Sequence, residues 1–218
     1  MSSSPPSRRS LERASILQTM QRWFHSDTVI SRGPISLGGH RADAEVMWID
    51  AMTMEHPFQT LFSVGLSDDV LPVSPTASAF GRVELMMHLP LSWPAGGKRL
   101  LMPEYQWPEQ WLRTLVGAVS EETIPLPGTH VIISNEEPPA PLGPGTEQTC
   151  LLLLADFYQC FPVELSNGDK VHLFHVVPLY TEERDFEKTQ GMQPLLGAMA
   201  SQGLESLVVR PDRERFVP

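Results

Sequence analysis

The sequence predicts one α+β domain, built around a largely antiparallel mixed sheet flanked by helices. Candidate elements follow the order one helix, three strands, one helix, four strands and further helices, without the regular strand–helix alternation of a parallel sheet. Two of the strands are joined by an Asn-Gly turn, which is typical of a hairpin. At 218 residues the chain is long enough for a single domain with a substantial core.

The N-terminal part of the chain supplies a first helix and three strands. Residues 1–10 are rich in Ser and Pro and are predicted to be disordered, and the domain is predicted to occupy residues 11–218. From Leu11 onward, apolar residues recur at helical spacing, namely Leu11, Ile16, Leu17, Met20, Trp23 and Phe24. Glycines at 33, 38 and 39 predict a loop, after which strands are expected at 45–51, 60–66 and 82–89.

A second helix is expected to start at Trp107, with Pro108 at its first helical position. Its predicted buried stripe consists of Trp111, Leu112, Leu115, Val116 and Val119. Beyond it, a strand at 129–134 lies within a Pro/Gly-rich segment, and a buried strand is expected at 150–155.

The stretch KVHLFHVVPLYTEERDF from Lys170 predicts a strand followed by a helix. Residues 161–165 form the partner strand of a hairpin, and Asn167-Gly168 supplies two positive-φ positions at its turn. Pro178 is expected to end the ladder, and Thr181 to cap a helix whose first turn holds Glu182, Glu183 and Asp185. After a break at Gly191, a further helix is expected at 195–200, and then an apolar stretch at 207–209.

The same strand decides whether the two histidines form a metal site. Side chains alternate between the faces of a strand, so His172 and His175 are predicted to point in opposite directions and not to share a metal ion. The other histidines, at 25, 40, 56, 88 and 130, are scattered and are interpreted as structural. Cys150 and Cys160 form no CxxC pair, so neither structural zinc nor a cofactor is expected.

No catalytic motif is complete. Residues 65–69, GLSDD, approach the GxSxG nucleophile elbow but lack its final glycine. Residues 96–99, GGKR, resemble the end of a phosphate-binding loop without its first glycine and its hydroxyl. We therefore expect no enzyme and no catalytic residue, and we keep a hydrolase that uses Ser67 or a His–carboxylate pair as an alternative.

Charge limits the possible partners. The formal net charge of −10, from 26 acidic and 16 basic side chains, disfavours nucleic acid and permits a cationic protein partner. No apolar run approaches the length of a membrane span, and the N-terminus does not read as a secretory signal, so no membrane partner and a cytoplasmic location are expected.

Five segments occur in an order that resembles one known family. They are EVMWIDAMTMEHPFQTLFSVGLSDD from Glu45, VELMMHLPLSWP from Val83, WPEQWLRTLV from Trp107, LPGTHVI from Leu126 and FHVVPLYTEERDF from Phe174. Together they resemble the Suppressor of fused domain in its bacterial single-domain form. Two segments depart from the family pattern: the Gly96-Gly97 loop, and residues 125–127 where a polar stretch is typical.

The resemblance implies an α+β domain that binds protein and has no catalytic role. Animal members of the family restrain Hedgehog signalling by holding Gli transcription factors between this domain and a second one. Because this chain ends soon after the first domain, that clamp is not expected here. Bacterial single-domain relatives are regarded as immunity proteins of polymorphic toxin systems, and this is the function predicted. The alternatives are a regulator that sequesters a signalling or transcription protein, and the hydrolase.

Three acidic residues are candidates for contact with a cationic toxin. Asp68 and Asp69 follow the 60–66 strand in a loop, and Glu84 is expected on the outward face of the 82–89 strand. Asp68 and Asp69 can equally cap the turn after their strand.

Overall fold

The computed structural model describes residues 7–37, 43–52, 57–73, 75–126, 128–155 and 162–217. Their strands form a mixed sheet of eight: β1 Val29–Ile35, β2 Ala44–Met52, β3 Pro57–Val64, β4 Val83–Pro90, β5 His130–Ser134, β6 Cys150–Ala155, β7 Val163–Glu164 and β8 Lys170–Leu179. The spatial order is β1-β2-β3-β4-β8-β6-β5, with β7 paired to β8. The predicted α+β class is confirmed.

Every neighbouring pair of strands is antiparallel except β4 with β8. In that parallel pair Val83 lies opposite His172, and Met86 lies opposite His175. Beyond this point the two strands part, and Val208 makes a parallel bridge with His88 instead. The parallel pair therefore joins two antiparallel halves of the sheet.

Helices cover both faces of the sheet: α1 Arg8–Phe24, α2 Gly97–Leu100, α3 Pro103–Ser120, α4 Thr181–Gln190 and α5 Met192–Ser201. On one face, α3 buries Leu112 and Leu115 against a cluster that includes Leu85 and Leu153 of the sheet. On the other face, α1 covers the β2–β4 region and α5 covers β6 and β8. None of the helices in the described part of the chain is long and apolar enough to cross a membrane.

The first helix begins at Arg8, because the Ser7 side chain accepts a hydrogen bond from Ser10 N at its N-terminus. Residues 8–10, which were predicted to be disordered, are therefore helical. Residues 1–6 lie outside the described residues. The predicted stripe is buried at Ile16, Met20 and Phe24, and Leu11 at its start is exposed.

The sequence prediction missed β1, which runs through a position expected to be a loop. Its register against β2 shifts between Ser31 and Pro34, and Gly33 within that irregularity has φ +98°. Glycine at a bulge does not prevent a strand from forming at the edge of a sheet. Gly38 and Gly39 lie outside the described residues.

The helix predicted to start at Trp107 begins four residues earlier, with Pro103 at its first position. Pro108 lies inside it, near enough to the N-terminus to remove one hydrogen bond without ending the helix. The predicted stripe is confirmed: its aliphatic members are buried, and partly buried Trp111 donates from Nε1 to Leu142 O at 2.7 Å.

The predicted hairpin is present, with Val163 opposite Val171 and Glu164 opposite Lys170. Its turn differs from the prediction, because only Gly168 has positive φ (+85°) and Asn167 does not. Gly168 N donates to Leu165 O at 2.9 Å, which is the pattern of a longer loop with glycine at the left-handed position.

Pro178 does not end β8, which continues to Leu179. The N–H group of His172 points toward β4 and donates to Arg82 O. Because the direction alternates along a strand, the nitrogen of Pro178 points to the same side. The pairing with β4 has ended before Pro178, so no hydrogen bond is lost there. The following helix is capped by Tyr180 and not by Thr181. The third residue of this helix, the buried Glu183, accepts a hydrogen bond from Tyr180 N at 2.9 Å and so satisfies the N–H group of the N-cap residue.

Candidate functional site

The three acidic residues predicted to meet a partner lie around one turn, residues 65–69. The turn follows β3 and is short because Gly65 adopts φ +111° before the 3-10 turn Leu66–Asp68. A Cβ atom at Gly65 would lie 2.5 Å from the Arg13 guanidinium and 3.1 Å from Ala44 Cα. Glycine therefore fits both the backbone angle and the close approach of the Ala44 backbone.

Glu84 supports this turn from below. Its carboxylate accepts hydrogen bonds from Gly65 N at 2.8 Å, from Ser67 N at 3.1 Å, and from the hydroxyls of Ser67 and Ser63. A buried carboxylate with four donors satisfies backbone N–H groups that the 3-10 turn cannot satisfy internally. Glu84 thus fixes the conformation that presents Asp68 and Asp69.

The position of Glu84 corrects the prediction that it faces outward. Glu84 is 0% exposed, because β4 lies between β3 and β8 and is covered by helices on both faces. Burial raises the pKa of the Glu84 carboxyl above its usual value, and the Ser63, Ser67 and Gly65 donors oppose this effect. A partner cannot touch Glu84 directly in this conformation.

Asp68 is paired within the chain. Its side chain is 3% exposed and forms an ion pair with Arg13 of α1 at 2.8 Å. Arg82 also holds this turn, donating to the carbonyls of Ser67 and Asp68 at 2.6 and 3.2 Å. The turn-stabilising role that the sequence left open is therefore present for Asp68.

Asp69 is the most accessible of the three, with a side chain 37% exposed and an ion pair to Arg9 at 3.2 Å. Nearby Asp169, which sequence reasoning missed, accepts from Arg82 at 3.1 Å and lies 3.7 Å from Arg8. The partner-binding role of Asp68, Asp69 and Glu84 stays a prediction. The basic run at the start of α1 was the only sequence signal for these ion pairs.

The geometry at Ser67 does not resemble a nucleophile elbow. Ser67 is 3% exposed, and its hydroxyl donates to Glu84 at 2.7 Å instead of to a histidine. A nucleophile needs access to substrate and a base to take its proton. Burial of Ser67 denies it access to substrate in this conformation.

An open depression of about 580 Å³ has Glu147, Tyr180, Asp212, Arg213 and Arg215 among its lining residues. Its guanidinium groups are already engaged, since Arg213 pairs with Glu183 at 2.6 Å and Arg215 with Glu182 at 3.1 Å. The two arginines of the lining are thus paired, and neither histidine nor cysteine is among the residues that line this depression.

The predicted divergence of the two strand histidines is confirmed. The ring of His172 packs on Phe80 with centroids 4.6 Å apart, whereas the ring of His175 lies 5.1 Å from that of His88 on the other face of the sheet. Across the described residues, no group of three or more His, Cys, Asp or Glu side chains is placed to hold a metal ion. His40, His56 and Cys160 lie outside those residues, and Cys150 is a buried free thiol.

Comparison with known proteins identifies the family. Residues 43–214 match the family model described as Suppressor of fused protein. The chain belongs to the Suppressor of fused family. The matched region contains the 65–69 turn, Glu84 and the whole sheet except β1. No curated protein sequence matches the chain.

Solved structures of the family share the fold at low sequence identity. A Suppressor of fused homologue from Neisseria gonorrhoeae FA 1090 is 15% identical with a TM-score of 0.62, over 95% of this chain and 97% of its own. Suppressor of fused in the Sufu–Fu complex is 16% identical with a TM-score of 0.62, over 97% and 92%. Drosophila Suppressor of Fused is 16% identical with a TM-score of 0.63, over 94% of this chain and 50% of its own.

Proposed function

We propose that this chain is a non-enzymatic protein-binding module, and more specifically a cytoplasmic immunity protein that neutralises a cognate toxin. The observation that carries the proposal is the match of residues 43–214 to the Suppressor of fused family. One solved relative was captured as a Sufu–Fu complex, that is, bound to a protein. The buried, Glu84-bonded hydroxyl of Ser67 weighs against the hydrolase alternative.

The charge of the chain favours a cationic toxin. A net charge of −10 produces a negative field that accelerates encounter with a positively charged protein. Asp69 and Asp169 expose carboxylate at the surface beside the turn, so this side of the molecule is the proposed approach for the partner. Asp68 contributes by fixing the turn through Arg13.

The test is expression of the proteins encoded by the neighbouring genes, each alone and together with this chain. The proposal expects one of them to arrest growth, this chain to restore growth, and the two purified proteins to elute as one complex. If no neighbour is toxic and the chain instead binds a signalling or transcription protein, the regulator is the function. Turnover of a substrate that disappears in Ser67→Ala would establish the hydrolase.

Charge steering has a separate test on the same complex. Asp69→Asn, alone and with Asp169→Asn, is expected to slow association several-fold at low salt and to leave dissociation nearly unchanged. Raising the salt concentration should reduce the difference because exposed charges are screened. Glu121→Gln, an exposed change at the end of α3, is the matched control. An association rate insensitive to both salt and these substitutions would remove charge as the basis of encounter.

A further inference from the structure

Residues 91–103, which connect β4 to α3 and include α2, form an exposed apolar and basic surface, named here the basic loop. Of the six large apolar side chains that are exposed in the described part of the chain, three belong to it: Leu91 at 48%, Leu101 at 70% and Met102 at 44%. Clustered exposed apolar side chains mark interaction surfaces more often than isolated ones do.

The charge of the basic loop is opposite to that of the chain. Residues 91–103 contain Lys98 and Arg99 and no acidic residue, in a chain of net charge −10. Arg99 is held over the Tyr105 ring and donates to its hydroxyl at 2.8 Å, which leaves its charge without a carboxylate partner among the described residues. Lys98 likewise forms no ion pair with any described residue.

The basic loop is anchored at its base. The Gln59 side-chain amide donates to the carbonyls of Leu91 and Trp93 at 3.1 and 3.0 Å. Trp93 is buried, and its Nε1 donates to Tyr105 O. An exposed surface on a fixed base loses little conformational entropy when a partner binds.

Beside Leu101 lies a depression of about 240 Å³ whose lining includes Arg32, Gln106 and Glu109. This is smaller than the roughly 300–1,000 Å³ of small-molecule sites, so it fits a side chain better than a whole ligand. Arg32 and Arg113 both pair with the single carboxylate of Glu109, so the lining of this depression keeps a net positive charge.

The neighbouring edge strand β1 is partly blocked against an added strand, because Arg113 donates to the carbonyls of Arg32 and Pro34 at 2.6 and 2.9 Å. A partner strand needs such edge carbonyls to pair.

We propose that the basic loop is a docking surface for a short acidic, aliphatic segment of a partner protein. An aliphatic side chain of that segment enters the depression beside Leu101, and its carboxylates meet Lys98 and Arg99. A protein segment is favoured over an anionic membrane, because the net charge of −10 repels the whole chain from such a surface. The inference rests on the proposed binding function and adds a second contact, at the opposite end of β4 from the 65–69 turn, for an acidic segment of a partner whose overall charge is positive.

The probe is the blocked octapeptide DELLDELL, titrated into the isotopically labelled chain and followed by amide NMR shifts. Saturable shifts are expected at residues 96–102. Lys98→Glu with Arg99→Glu, and separately Leu101→Ser with Met102→Ser, should each weaken binding by about tenfold or more. Lys188→Glu and Leu11→Ser, exposed changes on α4 and α1, are the matched controls and should leave binding unchanged.

Several outcomes would overturn the proposal. Equal binding of KKLLKKLL or of DESSDESS would remove the charge or the aliphatic requirement. Loop-dependent flotation with phosphatidylglycerol vesicles would indicate a membrane, and self-association abolished by Leu101→Ser would indicate a second copy of the chain. A cognate toxin bound equally well by the wild type and both double variants would refute the docking surface alone, whereas a wild type that binds no neighbour-encoded protein would refute the proposed function.

Discussion

Replacing Glu84 tests whether this buried carboxylate holds the 65–69 turn. In Glu84→Ala, the N–H groups of Gly65 and Ser67 lose their acceptor and cannot rotate to find another, unlike the hydroxyls of Ser63 and Ser67. Each buried donor left unsatisfied costs about 1–3 kcal/mol, so the two together should lower the free energy of unfolding by ~2–6 kcal/mol. A cavity adds to this cost.

Glu84→Gln separates hydrogen bonding from charge. The amide oxygen of glutamine can still accept from Gly65 N and Ser67, so a smaller loss than in the alanine variant is expected. Glu164→Ala, at an exposed position on β7, is the control and should change stability by no more than about 0.5 kcal/mol. The measurement is urea unfolding followed by tryptophan fluorescence, with equal m values required.

The dependence on pH has a definite sign. Burial raises the pKa of Glu84 in the folded state. The unfolded side chain loses its proton near pH 4, whereas the folded side chain keeps its proton up to the raised pKa. Wild-type stability should therefore fall, relative to Glu84→Gln, as the pH rises through this range toward the folded pKa, and level off above it. Two results would refute this account. One is a Glu84→Ala variant as stable as the Glu164→Ala control. The other is a difference in unfolding free energy between wild type and Glu84→Gln that is the same at every pH.

Three further results are expected. Gly65→Ala should destabilise the chain by about 1–3 kcal/mol, since φ is +111° and a Cβ would lie 3.1 Å from Ala44 Cα, and a Tm within a degree of the wild type would contradict this. Arg213→Ala should cost roughly 3–5 kcal/mol, because it strands the fully buried carboxylate of Glu183, and a loss below about 1 kcal/mol in urea would show that the pair is not needed. Zinc or nickel should not raise the Tm through the two histidines of β8, and the prediction is wrong if a rise occurs and vanishes in His172→Gln with His175→Gln.

The features that depend on local residue patterns could be predicted from the sequence. Alternation along a strand was sufficient to separate His172 from His175, and a turn signal was sufficient for the β7–β8 hairpin. Alternation misled at Glu84, because it suggests one wet face and β4 has none. Met86 lies on the same face of β4 as Glu84 and is also fully buried. An apolar residue on the face predicted to be exposed was the signal in the sequence that this face is buried.

The remainder depended on contacts between distant parts of the chain. No local rule relates Arg13 to Asp68, which pair across 55 positions of sequence. The cap of α4 was displaced by one residue because Glu183 is also tied to Arg213 and to Phe216 N at the C-terminal end. Tertiary partners of this kind are invisible to periodicity, and they form most of the candidate site.

The single parallel join between β4 and β8 also bears on how the chain reaches its fold. Strands β1 to β4 each pair with the next strand along the chain, whereas the join needs Val83 to meet His172 from far along the chain. Closing so long a loop carries an entropic cost before any ladder bond is gained. The N-terminal strands are therefore expected to assemble first, with β4 left as a bare edge until β8 arrives. During synthesis that edge is the part of the molecule most in need of protection from pairing with another chain.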